Sequence, residues 1–168
     1  MADAPRRFDP LGLLTTLDRN RVAYIVVGAF GRVVHGAEEI TRGVDIVPST
    51  KPDNLERLEA ALEELEAQGA DRRALSAANI GAARDEVIEL STNRGELKIV
   101  SQPEGTGGYD DLRRVATREP LGKGVRPAVA SVDDLARMLA ALGREQDQEK
   151  LRDLRRLAEF ELSRGVEL

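Results

Sequence analysis

The chain has 168 residues, 41% hydrophobic and 33% charged, enough for one domain with its own core. Its net charge of −5 argues against a general affinity for nucleic acid or anionic membranes. With no Cys, a single His and only 3% aromatic residues, it lacks the means for disulfides, thiolate or multi-His metal sites, a Cys nucleophile, or a stacking platform for single-stranded nucleic acid.

Residues 1–9 read as a flexible N-terminal arm, and 10–168 as a single domain. Asp9-Pro10 is a helix start, with Asp9 as cap, Pro10 in the first turn and Leu13, Leu14 and Leu17 inward. Asn20-Arg21 ends that helix. The unbroken apolar run Val22 to Val27 predicts a central strand. Gly28 follows at once, then a short helix over Ala29 to His35 stopped by Gly36. Val44 to Val47 is a second strand, ended by Pro48. Leu55, Leu58, Leu62 and Leu65 at helical spacing predict a helix over 52–67, its Glu-rich remainder being a solvated face. The Ala-rich stretch 69–83 has no clear period.

Glu86 to Ser91 and Glu96 to Ser101 form a predicted hairpin, with Gly95 closing the turn. A loop over 103–108 leads into a helix from Tyr109 to Ala116, and a short strand is expected near Val125 to Val129. Ser131 caps a helix with an acidic first turn, Leu135, Met138, Leu139 and Leu142 on one face, and Gly143 at its end. A last helix runs from about Asp147 to Leu162. No apolar run approaches the roughly 18 residues of a membrane span, and no leader is expected, so a cytoplasmic location is anticipated. Pattern alone gives a mixed α/β sheet flanked by helices, with C-terminal helices.

Five separated segments carry more information: V-G-A-F-G-R-V-V-H-G, G-V-D-I-V, L-K-I-V, P-E-G-T-G-G-Y-D-D-L and S-V-D-D-L-A-R-M-L-A-A-L-G-R. In these, over roughly residues 10 to 160, the chain resembles nucleotidyltransferases of the DNA polymerase β-like superfamily, in the bacterial abortive-infection and toxin–antitoxin branch. The resemblance implies a nucleotidyltransferase-like sheet flanked by helices. It also implies that Gly28 and Ala29 occupy the turn that approaches nucleotide phosphates, Ala29 replacing a second Gly or a Ser. For Gly28, a tight turn alone and a turn with a vestigial phosphate approach both remain open.

The family's metal ligands are two carboxylates alternating on one strand and a third from a neighbouring strand, which together hold two Mg²⁺ ions. By the resemblance, Asp45 is the surviving member and the only residue left to hold metal. Gly43 and Lys98 occupy the lost carboxylate positions, and Leu139 stands where a nucleotide-holding Lys often follows the Met. One Asp beside a Lys is a poor magnesium site, so no cofactor is expected, and an ion pair between Lys98 and Asp45 is expected to fill the old metal position.

The leading expectation is a catalytically degenerate pseudoenzyme that binds a toxin- or antitoxin-like protein partner, an NTP or RNA. The alternative is an active Mg²⁺-dependent enzyme moving NMP from NTP to a hydroxyl, with substitute carboxylates among Glu38, Glu39, Asp85, Glu86 and Glu96. A third reading is that Gly43 and Lys98 were introduced deliberately. Plainer roles are expected elsewhere: packing at a helix end for His35, a hairpin exit for residues 103–108, helix anchoring for Tyr109, core for Leu139, and solvated faces for Arg72-Arg73, Arg113-Arg114 and Arg155-Arg156.

Overall fold

The computed structural model describes residues 7–69 and 75–166. Helix α1 (Pro10–Arg19) is capped by Asp9, whose Oδ1 accepts the Gly12 amide at 3.0 Å. Strand β1 (Tyr24–Val27) runs into α2 (Gly28–Val34), followed by β2 (Gly43–Pro48) and α3 (Pro52–Glu64). Helix α4 (Ala77–Ala82), the hairpin β3 (Val87–Thr92) and β4 (Gly95–Val100), and the single turn α5 (Tyr109–Leu112) come next. Strands β5 (Thr117–Arg118) and β6 (Ala128–Val129) precede α6 (Val132–Leu142), a 3₁₀ turn (Glu145–Asp147) and α7 (Gln148–Val166).

The strands form one mixed sheet in the order β3-β4-β2-β1-β6-β5. β1 is antiparallel to β2 and parallel to β6, and β2 is parallel to β4. Alternation along each strand sends side chains to two cores. On one face Tyr24, Val26, Val44, Ile46, Leu97 and Ile99 meet α1, α3 and α4. On the other, Ile25, Val27 and Val47 meet α5, α6 and α7. The second cover is partial. All four residues of β1 are buried, but β3 alternates exposed and buried along its length, and Glu96 on β4 is exposed. One face of β3, β4 and the first half of β2 is therefore left open.

Several boundaries differ from expectation. Of the expected arm, residues 1–6 lie outside the described residues, but Phe8 and Asp9 are docked. The Phe8 ring stands edge-on to Phe30 at 5.9 Å, and the Asp9 amide donates to Arg94 O at 2.8 Å. Helix α3 stops at Glu64 because Glu66 takes φ 51° and the chain turns so that Gln68 bridges Ser91. The expected helix over 109–116 is one turn, and Thr117 and Arg118 form β5, a strand absent from the sequence reading, which pairs with β6. The strand expected over 125–129 contributes only its last two residues to the ladder; Pro127 has no N–H, and Val125 closes a turn onto Gly122 O at 3.0 Å.

Asn54 on α3 ties the outer ends of β1 and β2 together. It is 1% exposed. Its Oδ1 accepts the Ala23 amide at 2.8 Å, and its Nδ2 donates to Ala23 O at 3.0 Å and Ser49 O at 2.8 Å. Asn54→Ala leaves the Ala23 N–H and the Ser49 carbonyl without these partners. The expected loss is about 2–4 kcal/mol of unfolding free energy in urea titration; a loss below ~0.5 kcal/mol refutes the clamp.

Candidate functional site

The open face carries a row of side chains in register across four strands: Glu89 on β3, Lys98 on β4, Asp45 on β2 and Val27 at the end of β1. Asp45 lies where the helical cover ends, so it is half-buried while Lys98 and Glu89 reach solvent. A cavity of about 300 Å³ opens beside it, lined by Ala29, Arg42, Gly43, Asp45, Glu96 and Lys98 among others. A second, of about 610 Å³, adjoins it across Glu96 and Lys98 and reaches Glu89 and Ser91.

Gly28 has φ 68°, and a Cβ there would stand 2.3 Å from Asp45 Oδ2. The carboxylate of Asp45 thus occupies the space that any side chain at position 28 would need. The turn is obligatory for two reasons: positive φ and this close approach. Burial pushes the Asp45 carboxyl above its ordinary value, opposed at longer range by Lys98 and Arg32 and reinforced by Glu89.

The expected Lys98–Asp45 ion pair is not formed. The Lys98 ammonium lies 3.7 Å from Glu89 Oε1 and makes no contact of ion-pair length with Asp45. Register explains the difference. Lys98 has an acid on each neighbouring strand, and the one on β3 is exposed and free to meet it, while Asp45 is turned onto Gly28.

Position 43 is closed rather than vacant. A Cβ on Gly43 would fall 2.4 Å from Glu96 O and 2.7 Å from Glu96 Cβ, so β2 and β4 approach too closely there for a carboxylate without a backbone shift. The Thr41 hydroxyl donates to Gly43 O at 2.8 Å and fixes the strand start. Of the substitute acids, Glu96 alone lines the cavity beside Asp45. Glu39 is held by Arg32 through two bonds of 2.7 and 3.0 Å, with Lys150 at 3.5 Å. The Arg32 hydrogen bond keeps its carboxyl below the usual range. Glu38, Asp85 and Glu86 are exposed away from this row.

Among the described residues, no group of three or more His, Asp or Glu side chains is placed to hold a metal ion. The donor set of one half-buried carboxylate, an ammonium in register and a closed third position does not fit a pair of Mg²⁺ ions.

The remaining sequence candidates have structural partners. His35 ends α2, and its Nε2 meets Ala130 O at 2.8 Å; a carbonyl only accepts, so this nitrogen carries the proton. Nδ1 faces Glu161 at 3.7 Å. In the 103–108 loop, the amides of Thr106, Gly107 and Gly108 are taken by Pro103 O, Asp111 Oδ2 and Thr106 Oγ1, so the loop closes on itself. Tyr109 packs against the second core and Leu139 is 4% exposed within it. Arg113 and Arg156 make exposed contacts with Asp110 and Asp153, and Arg72-Arg73 lie outside the described residues.

Sequence reasoning missed Glu89, Arg42 and the Arg32–Glu39 pair. Glu89 could have been found, since alternation within a hairpin of known register puts it opposite Lys98. The Arg32–Glu39 contact joins residues seven apart, from the last turn of α2 to the loop after it, which no local pattern marks.

Two stability measurements probe this geometry. Gly28→Ala is expected to cost about 1–3 kcal/mol through positive φ and the clash, and to cost less in an Asp45→Ala background, where the opposing carboxylate is gone. Equal costs in both backgrounds would show that the two residues do not touch. Because the folded pKa of Asp45 is raised, its stabilising protonation is present below the ordinary value of 3.8 and lost as pH rises through the folded value. Asp45→Asn should therefore melt higher than the parent at pH 7, with the gain vanishing below about pH 4; a gain that persists unchanged at low pH rules out the carboxylate as its source.

No protein-family model and no curated protein sequence matches the chain. Among solved structures, it is similar to a candidate nucleotidyltransferase from Thermotoga maritima, with a TM-score of 0.53 and 15% identity over 84% of this chain and 87% of that one. At that identity the likeness is one of fold: a mixed sheet flanked by helices, nucleotidyltransferase-like, with a C-terminal helix. Among the described residues, no helix is long and apolar enough to cross a membrane.

Proposed function

We propose that this protein is a nucleotidyltransferase-fold pseudoenzyme, which binds a nucleotide, RNA or protein partner without metal-dependent nucleotidyl transfer. The observation that carries this reading is the state of the would-be metal site. Lys98 stands in register with Asp45, and the backbone at Gly43 is packed too closely on Glu96 to take a carboxylate. Two Mg²⁺ ions need several hard oxygen donors aimed at one point, and an adjacent ammonium opposes their charge. A pocket opens beside Asp45 without that donor set. A role in a bacterial toxin–antitoxin or abortive-infection pair, in the cytoplasm, rests on the sequence resemblance alone.

A second reading is an active transferase in which Glu96 replaces a lost ligand, since it shares the cavity with Asp45. Calorimetry of ATP, GTP, CTP and UTP, each with and without Mg²⁺, together with an assay for NTP consumption, separates the two. Under the proposal, any nucleotide binding is independent of Mg²⁺, no NTP is consumed, and the Gly43→Asp/Lys98→Asp variant stays silent. Mg²⁺-dependent NTP consumption abolished by Asp45→Ala would overturn it in favour of the second reading.

A further inference from the structure

Charge is unevenly spread along this acidic chain. Residues 113–126 hold five of its 25 Lys and Arg but only one of its 30 Asp and Glu. From Thr117 onward the structure folds this stretch, through Val129, into a two-stranded ribbon at the β5 edge of the sheet, extended beyond the ladder by Glu119 N to Pro127 O at 3.1 Å and Leu121 N to Val125 O at 2.9 Å; Arg113 and Arg114 lie in the turn before it. Arg118, Lys123 and Arg126 are all exposed. Register pairs Arg118 with Ala128, so alternation places Arg118 and Arg126 diagonally on one face. An Arg118 guanidinium N–H donates to Arg126 O at 3.2 Å, which holds the two together. Lys123, at the tip, lines a cavity of about 290 Å³ against α1 with Arg19 and Arg94. Those two are neutralised by Glu64 and Asp9. Among the described residues, none of Arg118, Lys123 and Arg126 forms an ion pair.

Cations commonly protect an edge strand from pairing with other chains. That accounts for Arg118, which is on the edge strand, but not for Lys123 at the turn or Arg126 on the inner limb. We infer that this ribbon is a docking surface for the phosphate backbone of duplex DNA, independent of the Asp45 cavity.

The partner follows from what the ribbon offers and lacks. It spans about six residues at ~3.3 Å each, roughly 20 Å, or about six base-pair steps of duplex. Residues 113–126 contain no aromatic side chain, so nothing stacks on unpaired bases. The ribbon's one side-chain hydroxyl, on Thr117, is spent on Glu119, which leaves no neutral donor or acceptor to read a ribose 2′-hydroxyl. Within the ribbon Val125 and Val129 are buried and Leu121 is partly buried against the core, so the ribbon presents no exposed large apolar side chain to a lipid surface. Burial of Val125 also lays the ribbon flat on the protein body. It therefore touches the duplex backbone and leaves base edges unread, which makes the contact independent of sequence.

Fluorescence anisotropy of the full chain with a labelled 25-base-pair DNA duplex, from 50 to 200 mM salt, tests this. Three phosphate contacts predict that affinity falls by at least about 40-fold across that range. The Arg118→Gln/Lys123→Gln/Arg126→Gln variant should reduce the slope of log affinity on log salt by about 2.7, with an unchanged melting temperature. Arg155→Gln/Arg156→Gln should leave that slope unaltered. Unchanged binding in the triple variant overturns the inference, as does tighter binding to single strands, duplex RNA or anionic vesicles than to duplex DNA. The outcome does not depend on whether the Asp45 cavity binds or turns over NTP.

Discussion

Strands β1 and β2 present both their faces to protein over most of their length, and the molecule is arranged around that burial. Their backbones satisfy each other in an antiparallel ladder, while β6 and β4 complete the outer sides. At one end Asn54 reaches across from α3 and bonds to Ala23 and Ser49, joining the start of β1 to the exit of β2. A buried polar group is tolerable only when its hydrogen bonds are met, and Asn54 meets them with backbone atoms that have few other partners. At the other end the cover stops, and Asp45 marks the boundary. The site is the place where the second helical layer runs out over a continuing sheet.

That boundary sets the chemistry of the site through backbone spacing more than through side-chain identity. The carboxylate of Asp45 rests on Gly28 because nothing larger fits beneath it. Gly43 lets β2 close on β4, and that closure has used the room a second carboxylate would need. Lys98 then finds its counter-charge on β3, one strand further out, so its ammonium is shared with a solvent-facing acid. The loop between α2 and β2 is also held in place. Arg32 clamps Glu39, and Lys150 from α7 adds a second cation to the same carboxylate, linking the cavity's rim to the C-terminal helix. The row thus holds one half-buried acid, with the ammonium beside it turned toward a solvent-facing glutamate.

The sequence alone determined what depends on local pattern. The unbroken apolar run at 22–27 announced a strand buried on both faces, helical spacing of Leu located α1, α3 and α6, and Asp9, Ser131 and Gly143 act as the caps their residue types suggest. Local pattern went no further than a mixed α/β sheet, and the nucleotidyltransferase-like fold came from the resemblance of five separated segments; in the structure Ala29, Gly43, Asp45 and Lys98 line one cavity, with Gly28 packed against Asp45. The tertiary structure decided where Lys98 points, how close β2 comes to β4, and that residues 117–129 form a ribbon where the pattern suggested only a single short strand near Val125 to Val129. The physical reason is one of range. Periodicity and capping act within a few residues, so sequence records them, whereas strand spacing and the choice between two equally adjacent counter-charges are settled only when segments distant in the chain are packed together.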